Sequence, residues 1–430
     1  MRSTALTFLF VLVAGAQTST DRQSAVLQAF SAKHDLDLAD VAALLKAGVD
    51  INAVNGFGRT PLMIAVSAKA HINVVTALLN AGANVNAVVH DRPDHPQYIR
   101  RSQGITALMI AVFRGSDVEV VRALLRAGAQ VDARLGAGVD IDFARATGWT
   151  PLMIASLCPQ LQVIEELLKA GANVNASGED GTTALMLAAG WLVPCGQSSL
   201  GGDYFPHPEG LQSREILAAV LKARASAVAG VKVLVKTGAN VNASRRDGST
   251  ALMIAATGSL AEAVDVLVEA GANVNATDLH DQTVLLKAER ALRDNHSVRE
   301  DGASAAVVER LRKAGANVLT VEQLLKIATR SKDESTVREI FGDLGVMGAS
   351  FRKVDIDQMV AFMRRRTQKW ETLSPREHCV DHYYRSASHY AARAVLALQS
   401  PYVTELLRAE AKKISEKSVW TERVSEPGWV

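Results

Sequence analysis

The chain has 430 residues, with 47 Lys and Arg, 45 Asp and Glu, and a formal net charge of +2. This balance gives no electrostatic basis for binding nucleic acid or an anionic membrane surface. Hydrophobic residues make up 48% of the chain, which is typical of a folded protein. Length alone would suggest about three domains, although a chain built from internal repeats escapes that rule.

The N-terminus has the features of a secretory signal peptide. The first four residues carry one positive charge, the apolar run Ala5–Ala16 follows, and its end fits a small-residue cleavage site. We therefore expect a signal peptide over residues 1–16 and a mature chain that begins near Gln17. The alternative is an uncleaved membrane anchor, but twelve apolar residues fall short of the roughly 20 that span a bilayer. The mature chain is expected to be secreted or periplasmic, without membrane association.

A short pattern recurs along most of the chain. One copy consists of Thr150–Leu157 and, a few residues later, Glu166–Ala176. Its last seven residues, Ala170–Ala176, have counterparts at Ala47–Ala53, Ala81–Ala87, Ala127–Ala133, Thr237–Ala243 and Ala270–Ala276. Repetition at such spacing indicates a stack of similar structural units.

Each unit contains start and stop signals for a pair of helices. A threonine whose hydroxyl can cap the first helix stands at Thr60, Thr106, Thr150, Thr183, Thr250 and Thr283. A glycine suited to the left-handed conformation that ends a helix stands at Gly82, Gly128, Gly171, Gly238, Gly271 and Gly315. The sequence therefore predicts helix-turn-helix pairs. A short exit segment, which begins at the glycine, connects the end of one pair to the start of the next.

The pattern Thr-Pro-Leu-x-x-Ala, followed by Val-x-x-Leu-Leu-x-x-Gly-Ala-x-Val-Asn, closely resembles the ankyrin repeat over about residues 21–345. This resemblance implies an all-α ankyrin-repeat solenoid of about eight helix-turn-helix pairs with β-hairpin fingers. Where the family has a histidine after Thr-Pro-Leu, this chain has Met63, Met109, Met153, Met186 and Met253. We expect these methionines to fill the core instead of forming a soft-metal ladder.

Two consecutive exits of the array are enlarged. From exit glycine to capping threonine the chain usually takes 12 residues, but Gly82 to Thr106 takes 24 and Gly128 to Thr150 takes 22. In the ankyrin fold this segment is the finger beside the concave face. We therefore expect the insertions at 88–104 and 134–145 to project side by side. They either bind a partner or are surface loops with a small entropic cost.

The candidate partner-binding residues lie on these fingers and on the neighbouring concave helices. The first finger supplies His90, Asp91, Arg92, His95, Tyr98, Arg100 and Arg101. The second finger supplies Asp140 and Asp142, and the concave side supplies Arg114, Trp149 and Asp180.

Two further insertions separate the helices within a unit, at 191–213 and 289–303. The first begins as a loop rich in Gly, Ser and Pro and continues as a long helix, Arg214–Lys236, with Ser213 as its cap. Cys158 and Cys195 both follow the first helix of adjacent units. We expect a disulfide between them, with two free thiols as the alternative.

The repeat pattern ends near Gly345, and residues 346–430 are expected to form a helical C-terminal region. Its middle helix carries His378, His382 and His389 on the face opposite an apolar stripe. Two histidines four residues apart can bind a metal, but no third ligand is evident. A solvated face is therefore the expected role of these histidines.

The sequence contains no phosphate-binding glycine loop, no zinc-protease motif and no nucleophile elbow. We predict a non-enzymatic protein-interaction scaffold without metal or cofactor. It is expected to act as a monomer outside the cytoplasm, bound to an unidentified partner protein and not to nucleic acid. The alternative is a metal-binding, small-ligand-binding or catalytic protein that uses the C-terminal helical region.

Overall fold

The computed structural model describes residues 26–33, 35–89, 104–136, 140–141, 144–145, 147–157, 160–190, 213–294 and 303–330. It also describes the helical positions 340, 357, 358, 360–362, 364, 365, 408, 409, 411 and 412. The chain divides into two compact units. The first comprises Met1–Ala276 and Asn295–Ala314, and the second comprises Thr277–Asp294 and Gly315–Val430.

The first unit contains two kinds of helix, which alternate along the chain. The first helices of the repeats are α3 (Pro61–Ser67), α5 (Ala107–Phe113), α7 (Pro151–Leu157), α9 (Ala184–Gly190) and α11 (Ala251–Thr257). The second helices are α2 (Leu38–Lys46), α4 (Ile72–Asn80), α6 (Val118–Arg126), α8 (Leu161–Lys169), α10 (Ser213–Lys236), α12 (Ala261–Glu269) and α14 (Ala303–Lys313). A helix at 26–31, α1, precedes them.

Like helices pack on like helices, so this unit has two layers. Each first helix contacts the first helices of its neighbours, each second helix contacts the next second helix, and the two layers meet within every repeat. The core lies between the layers. It includes leucines that are fully buried, such as Leu78, Leu124 and Leu167, and burying such side chains is the main favourable contribution to folding. This arrangement is a solenoid, as the sequence predicts.

The start and stop signals act as predicted. The hydroxyl oxygens of Thr60, Thr106, Thr150, Thr183, Thr250 and Thr283 each accept a hydrogen bond from the backbone N–H three residues later, at 3.2–3.4 Å. The exit glycines have positive φ angles, for example +89° at Gly82 and +87° at Gly171. A residue with a Cβ is strained at such angles, which explains the glycine at each exit.

The methionine column belongs to the core. Met63, Met109, Met153, Met186 and Met253 are between 0% and 2% exposed. They fill the space between stacked first helices, so the interpretation of a flexible core filler is confirmed.

Exit segments of successive repeats are joined by side-chain clamps. The amide of Asn175 donates to the carbonyl of Gly238 at 3.1 Å, and its oxygen accepts from the N–H of Asn240 at 2.7 Å. Asn52, Asn86 and Asn242 repeat this double contact with the next exit. Each of these asparagines therefore fixes the spacing between two repeats by satisfying one donor and one acceptor.

The N-terminal end and the long insertion have their own local signals. Helix α2 begins with a capping box, in which the side chains of Asp37 and Asp40 each accept from the other residue's N–H. Val26, Leu27 and Phe30 of α1 are buried. Helix α10 is continuous over 24 residues from Ser213 to Lys236, in agreement with the predicted long helix.

The second unit contains α13 (Val284–Asp294), α15 (Val321–Arg330) and the isolated helical positions from 340 onward. Thr283 caps α13, and the loop before it is held by Asp278, which accepts from the N–H groups of His280 and Gln282. Lys287 forms an ion pair with the buried carboxylate of Asp278 at 2.8 Å.

Candidate functional site

Both enlarged fingers are closed at their base by backbone hydrogen bonds. At the first finger, the N–H of Val89 donates to Ile105 and the N–H of Gly104 donates to Val89, both at 3.1 Å. At the second finger, Leu135 and the Gly148–Trp149 segment exchange the same pair of bonds at 2.9 and 2.8 Å. Each insertion therefore leaves and re-enters the array at a fixed point.

The two finger bases are in direct contact. Gly104 has a φ of +72°, and a Cβ added there would lie 2.9 Å from the backbone N of Gly136 and 3.1 Å from the carbonyl oxygen of Arg134. Only a glycine allows this approach of one finger to the next. The insertions accordingly emerge from neighbouring points of the array.

The second finger continues away from its base as a β-hairpin. Strand β1 (Asp140–Ile141) pairs antiparallel with β2 (Ala144–Arg145), with Asp140 opposite Arg145. Asp140, a candidate binding residue, therefore stands on the hairpin. Asp142, in the turn between the strands, lies outside the described residues.

The structure corrects the expectation that Trp149 is part of an exposed concave surface. Its side chain is 2% exposed, and the ring lies against Gly178 of the next finger. Trp149, which precedes the capping Thr150, is buried because Gly178 has no side chain and leaves room for the indole ring. Trp149 therefore packs one finger base on the next and is removed from the set of exposed candidates.

Asp180 connects two fingers and is half-exposed. Its carboxylate accepts from the hydroxyl and N–H of Thr182 and forms an ion pair with Arg245 of the next finger at 3.0 Å. Burial raises the pKa of Asp180, but the bonds from Thr182 and Arg245 outweigh it and hold this pKa below the ordinary value. Much of the hydrogen-bonding capacity of Asp180 is thus used inside the array.

Arg114 caps the end of α5 and is half-buried. Its Nε donates to the carbonyl of Ser67 at the end of α3, at 3.2 Å. Sequence reasoning missed two residues of the finger before α3, the half-buried Arg59 and the exposed Phe57. Aligning the repeats on their capping threonines would have found Arg59, because the same position is uncharged in the other repeats.

Several predicted site residues lie outside the described residues. These are His90, Asp91, Arg92, His95, Tyr98, Arg100 and Arg101 of the first finger, and Cys158 and Cys195 of the expected disulfide. The histidines expected to form a solvated face, His378, His382 and His389, also lie outside the described residues. The first finger and the disulfide therefore remain predictions.

Within the described ranges there is no group of three or more His, Cys, Asp or Glu side chains that could hold a metal ion. A search of the same residues also finds no helix with the length and apolar character needed to cross a bilayer.

Comparison with known families identifies the class of this protein. A model described as "Ankyrin repeats (3 copies)" matches residues 3–89, 30–134 and 131–197, and one described as "Ankyrin repeats (many copies)" matches 234–287. The matched residues make up more than half of the chain. Together with the stacked helix pairs and finger bases, they establish that the chain belongs to the ankyrin-repeat family.

One curated relative is the nuclear factor NF-kappa-B p105 subunit of Gallus gallus, 34% identical over 113 residues, or 25% of this chain. This chain spans only 11% of that relative's length. Solved structures with similarity include the human ASB11 ankyrin repeat domain, at 21% identity and a TM-score of 0.45, covering 66% of this chain and 96% of that one. An ankyrin repeat domain from Acinetobacter baumannii AYE has 22% identity and a TM-score of 0.41, covering 60% and 98%.

Proposed function

We propose that this protein is a non-enzymatic interaction scaffold that binds a partner protein through its two enlarged fingers and the adjoining first helices. The observation that carries the proposal is the direct contact between the two finger bases at Gly104 and Gly136. The two insertions emerge from bases that lie side by side on adjacent repeats, and per-repeat insertions commonly lie on the binding face of a solenoid.

The fingers suit this role because their bases are rigid while their insertions carry varied side chains. Val89 and Leu135 are 1% and 3% exposed, so each base is anchored in the core. The first insertion includes His90, Tyr98 and Arg101. Aromatic and arginine side chains presented from a fixed base lose little entropy on binding, which favours affinity.

We further propose that the chain acts outside the cytoplasm as a monomer, after removal of residues 1–16. The support is the charge and apolar pattern of the N-terminus. The first family match begins at residue 3, so a helix of the array is the competing role for this segment. N-terminal sequencing of exported protein should give a start near Gln17, and an intact Met1 in the cytoplasmic fraction would refute export.

The expected Cys158–Cys195 disulfide follows from export, because oxidising compartments favour such bonds. Peptide mapping without reduction should recover the two cysteines in one linked peptide. Their recovery in separate alkylated peptides from exported protein would contradict the prediction.

The finger proposal is tested by replacing residues 90–103 with an Asn-Gly turn and by shortening residues 137–146 in the same way. Loops contribute little to the core, so melting temperatures should change little. A partner isolated from the exported fraction with the unaltered chain should lose most of its affinity for the double-finger variant. Replacing residues 196–211 is the control, since this part of the insertion lies between two helices of one repeat and excludes Cys195. Unchanged partner affinity in a folded double-finger variant would exclude the fingers as the binding site.

A further inference from the structure

Arg59 holds an unusual position at the finger that precedes α3. Asn55, which is 4% exposed, fixes the backbone of this finger: its side-chain oxygen accepts from the N–H groups of Phe57 and Arg59 at 3.0 Å. The N–H of Asn55 also donates to the carbonyl of Arg59 at 3.0 Å. The half-buried guanidinium, in contrast, has no hydrogen-bond or ion-pair partner among the described residues.

A second arginine stands close to the first. Arg114 contacts Ser67 at the C-terminal end of α3, whereas Arg59 precedes the N-terminal end of the same helix, which is only about 10 Å long. Burial of the guanidinium, and then the nearby charge of Arg114, lower the pKa of Arg59 below its ordinary value. Arg59 and Arg114 thus stand at opposite ends of one short helix, near enough for the charge of one to act on the other.

Three other half-buried arginines of this unit are paired with carboxylates. Arg122 pairs with Glu166, Arg245 with Asp180 and Arg310 with Asp265, at 2.9–3.1 Å. Among the residues that the structure describes, Arg59 and Arg114 have no such carboxylate. Keeping two like charges near each other without a counter-charge is unfavourable, so this position favours a counter-charge from beyond the described residues.

An exposed aromatic side chain stands two residues before Arg59, in the same finger. Phe57 is 66% exposed although it belongs to the same finger turn, whose backbone Asn55 holds in place. Arginine and aromatic residues are the types most enriched where proteins bind each other tightly. A partner segment seated here would meet two cations and an apolar ring.

We infer that Phe57, Arg59 and Arg114 form a docking site for an acidic segment of a partner protein, with a carboxylate on the two guanidinium groups and an apolar side chain on Phe57. This inference rests on the proposed scaffold function and names the chemistry of its partner. A carboxylate can accept two parallel hydrogen bonds from a guanidinium, and partial burial strengthens that contact.

The experiment uses the full mature chain as bait for a library of random dodecapeptides. The expected result is enrichment of peptides that carry Asp or Glu next to an apolar residue. The Kd of the best peptide is then measured by calorimetry for the unaltered chain, for Arg59→Gln and for Arg114→Gln. Loss of one charge-assisted hydrogen bond should weaken binding about tenfold to a hundredfold in each variant. Binding should also weaken as sodium chloride is raised.

The matched control is Arg126→Gln, an exposed arginine at the end of α6 on a second helix, which should bind the peptide with unchanged Kd. A stability measurement separates binding from a structural role. Arg59→Gln removes an unpaired, partly desolvated charge, so its melting temperature should be equal to or higher than that of the unaltered chain. A clear drop in melting temperature would assign Arg59 to the fold and overturn the docking site.

Three results would overturn the inference. These are selected peptides without acidic enrichment, a Kd insensitive to both arginine variants, and tighter arginine-dependent binding of a single-stranded oligonucleotide than of the acidic peptide. The proposed finger site fails separately, when a natural partner keeps its affinity after both enlarged fingers are replaced. If the natural partner's affinity depends on the fingers but Arg59→Gln leaves the peptide Kd unchanged, only the docking site is rejected.

Discussion

Glu166 joins two repeats at the level of single side chains. Its carboxylate binds Arg122 of the preceding second helix at 3.1 Å and Lys169 of its own helix at 2.9 Å. Hydrogen bonds from Arg122 and then Lys169 lower the pKa of Glu166 from 4.5 to about 2. Because the folded pKa is depressed, the stabilisation is complete above the ordinary pKa and is lost as pH falls from 4.5 to about 2.

The first prediction concerns this carboxylate. Glu166→Gln should lower the free energy of unfolding at neutral pH, and the difference from the unaltered chain should shrink as the pH is lowered through that window. Urea unfolding across a series of pH values measures it. Glu165→Gln is the control, since Glu165 forms no ion pair with described residues and should give a much smaller difference. A difference that is constant with pH would contradict the role of the Glu166 charge.

The packing of the Trp149 indole requires a residue without a side chain at position 178. A Cβ at Gly178 would lie 2.9 Å from Cδ1 and 3.1 Å from Nε1 of Trp149, closer than side chains normally pack. The second prediction is that Gly178→Ala lowers the free energy of unfolding by about 1–3 kcal/mol because the indole must shift. Gly56→Ala is the matched control in another finger, where nothing lies within 4 Å of the added atom. Equal melting temperatures for the two variants would show that the indole relaxes without cost.

At the scale of the elements, one contact between successive exit segments differs from the asparagine clamps described above. Asp132 accepts from the N–H of Asn173 at 3.0 Å, as the clamping asparagines do at the other exits. A carboxylate has no N–H, so Asp132 cannot donate to the carbonyl of Gly171 in the way that Asn175 donates to Gly238. This step of the stack therefore makes half of the usual clamp.

The third prediction tests the clamp by exchanging the two side chains. Asp132→Asn supplies the missing donor and should raise the free energy of unfolding by about 0.5–1.5 kcal/mol, whereas Asn175→Asp should lower it by a similar amount. Urea denaturation of both variants at neutral pH measures the changes. Changes of the same sign in both variants would contradict the prediction, because the two exchanges gain and lose the same donor.

The starts and ends of the helices could be predicted from sequence where a single residue type satisfies the backbone around it. A threonine cap or a left-handed glycine acts through its own backbone neighbourhood, so Thr150 and Gly171 can be identified from sequence alone. The inward orientation of Trp149 could not be predicted, because it depends on Gly178 in the next finger. An alignment of the repeats would have marked Arg59 as unusual, but its lack of an ion-pair partner among the described residues depends on the packed neighbours.

On the scale of the first unit, the main contacts between described helices lie within one repeat or between neighbouring repeats. The free energy of unfolding of such a stack is close to the sum of the stabilities of single repeats and of the interfaces between neighbours. A destabilising substitution in an end repeat should therefore affect fewer helices than one in a middle repeat. Leu44 lies in α2, near the N-terminal end, and contributes to the layer that meets α4. Leu167 lies in α8, which packs on both α6 and α10.

The fourth prediction compares Leu44→Ala with Leu167→Ala, since both leucines are at most 2% exposed and truncation of either costs about 2–5 kcal/mol. Amide hydrogen exchange under native conditions should rise in Leu44→Ala only over α1 to α4, because the end repeats can open without their neighbours. In Leu167→Ala it should rise on both sides of α8, over α6 and α10 as well. Uniformly faster exchange across all helices in Leu44→Ala would instead establish that the first unit unfolds as a single cooperative body, with coupling that extends beyond neighbouring repeats.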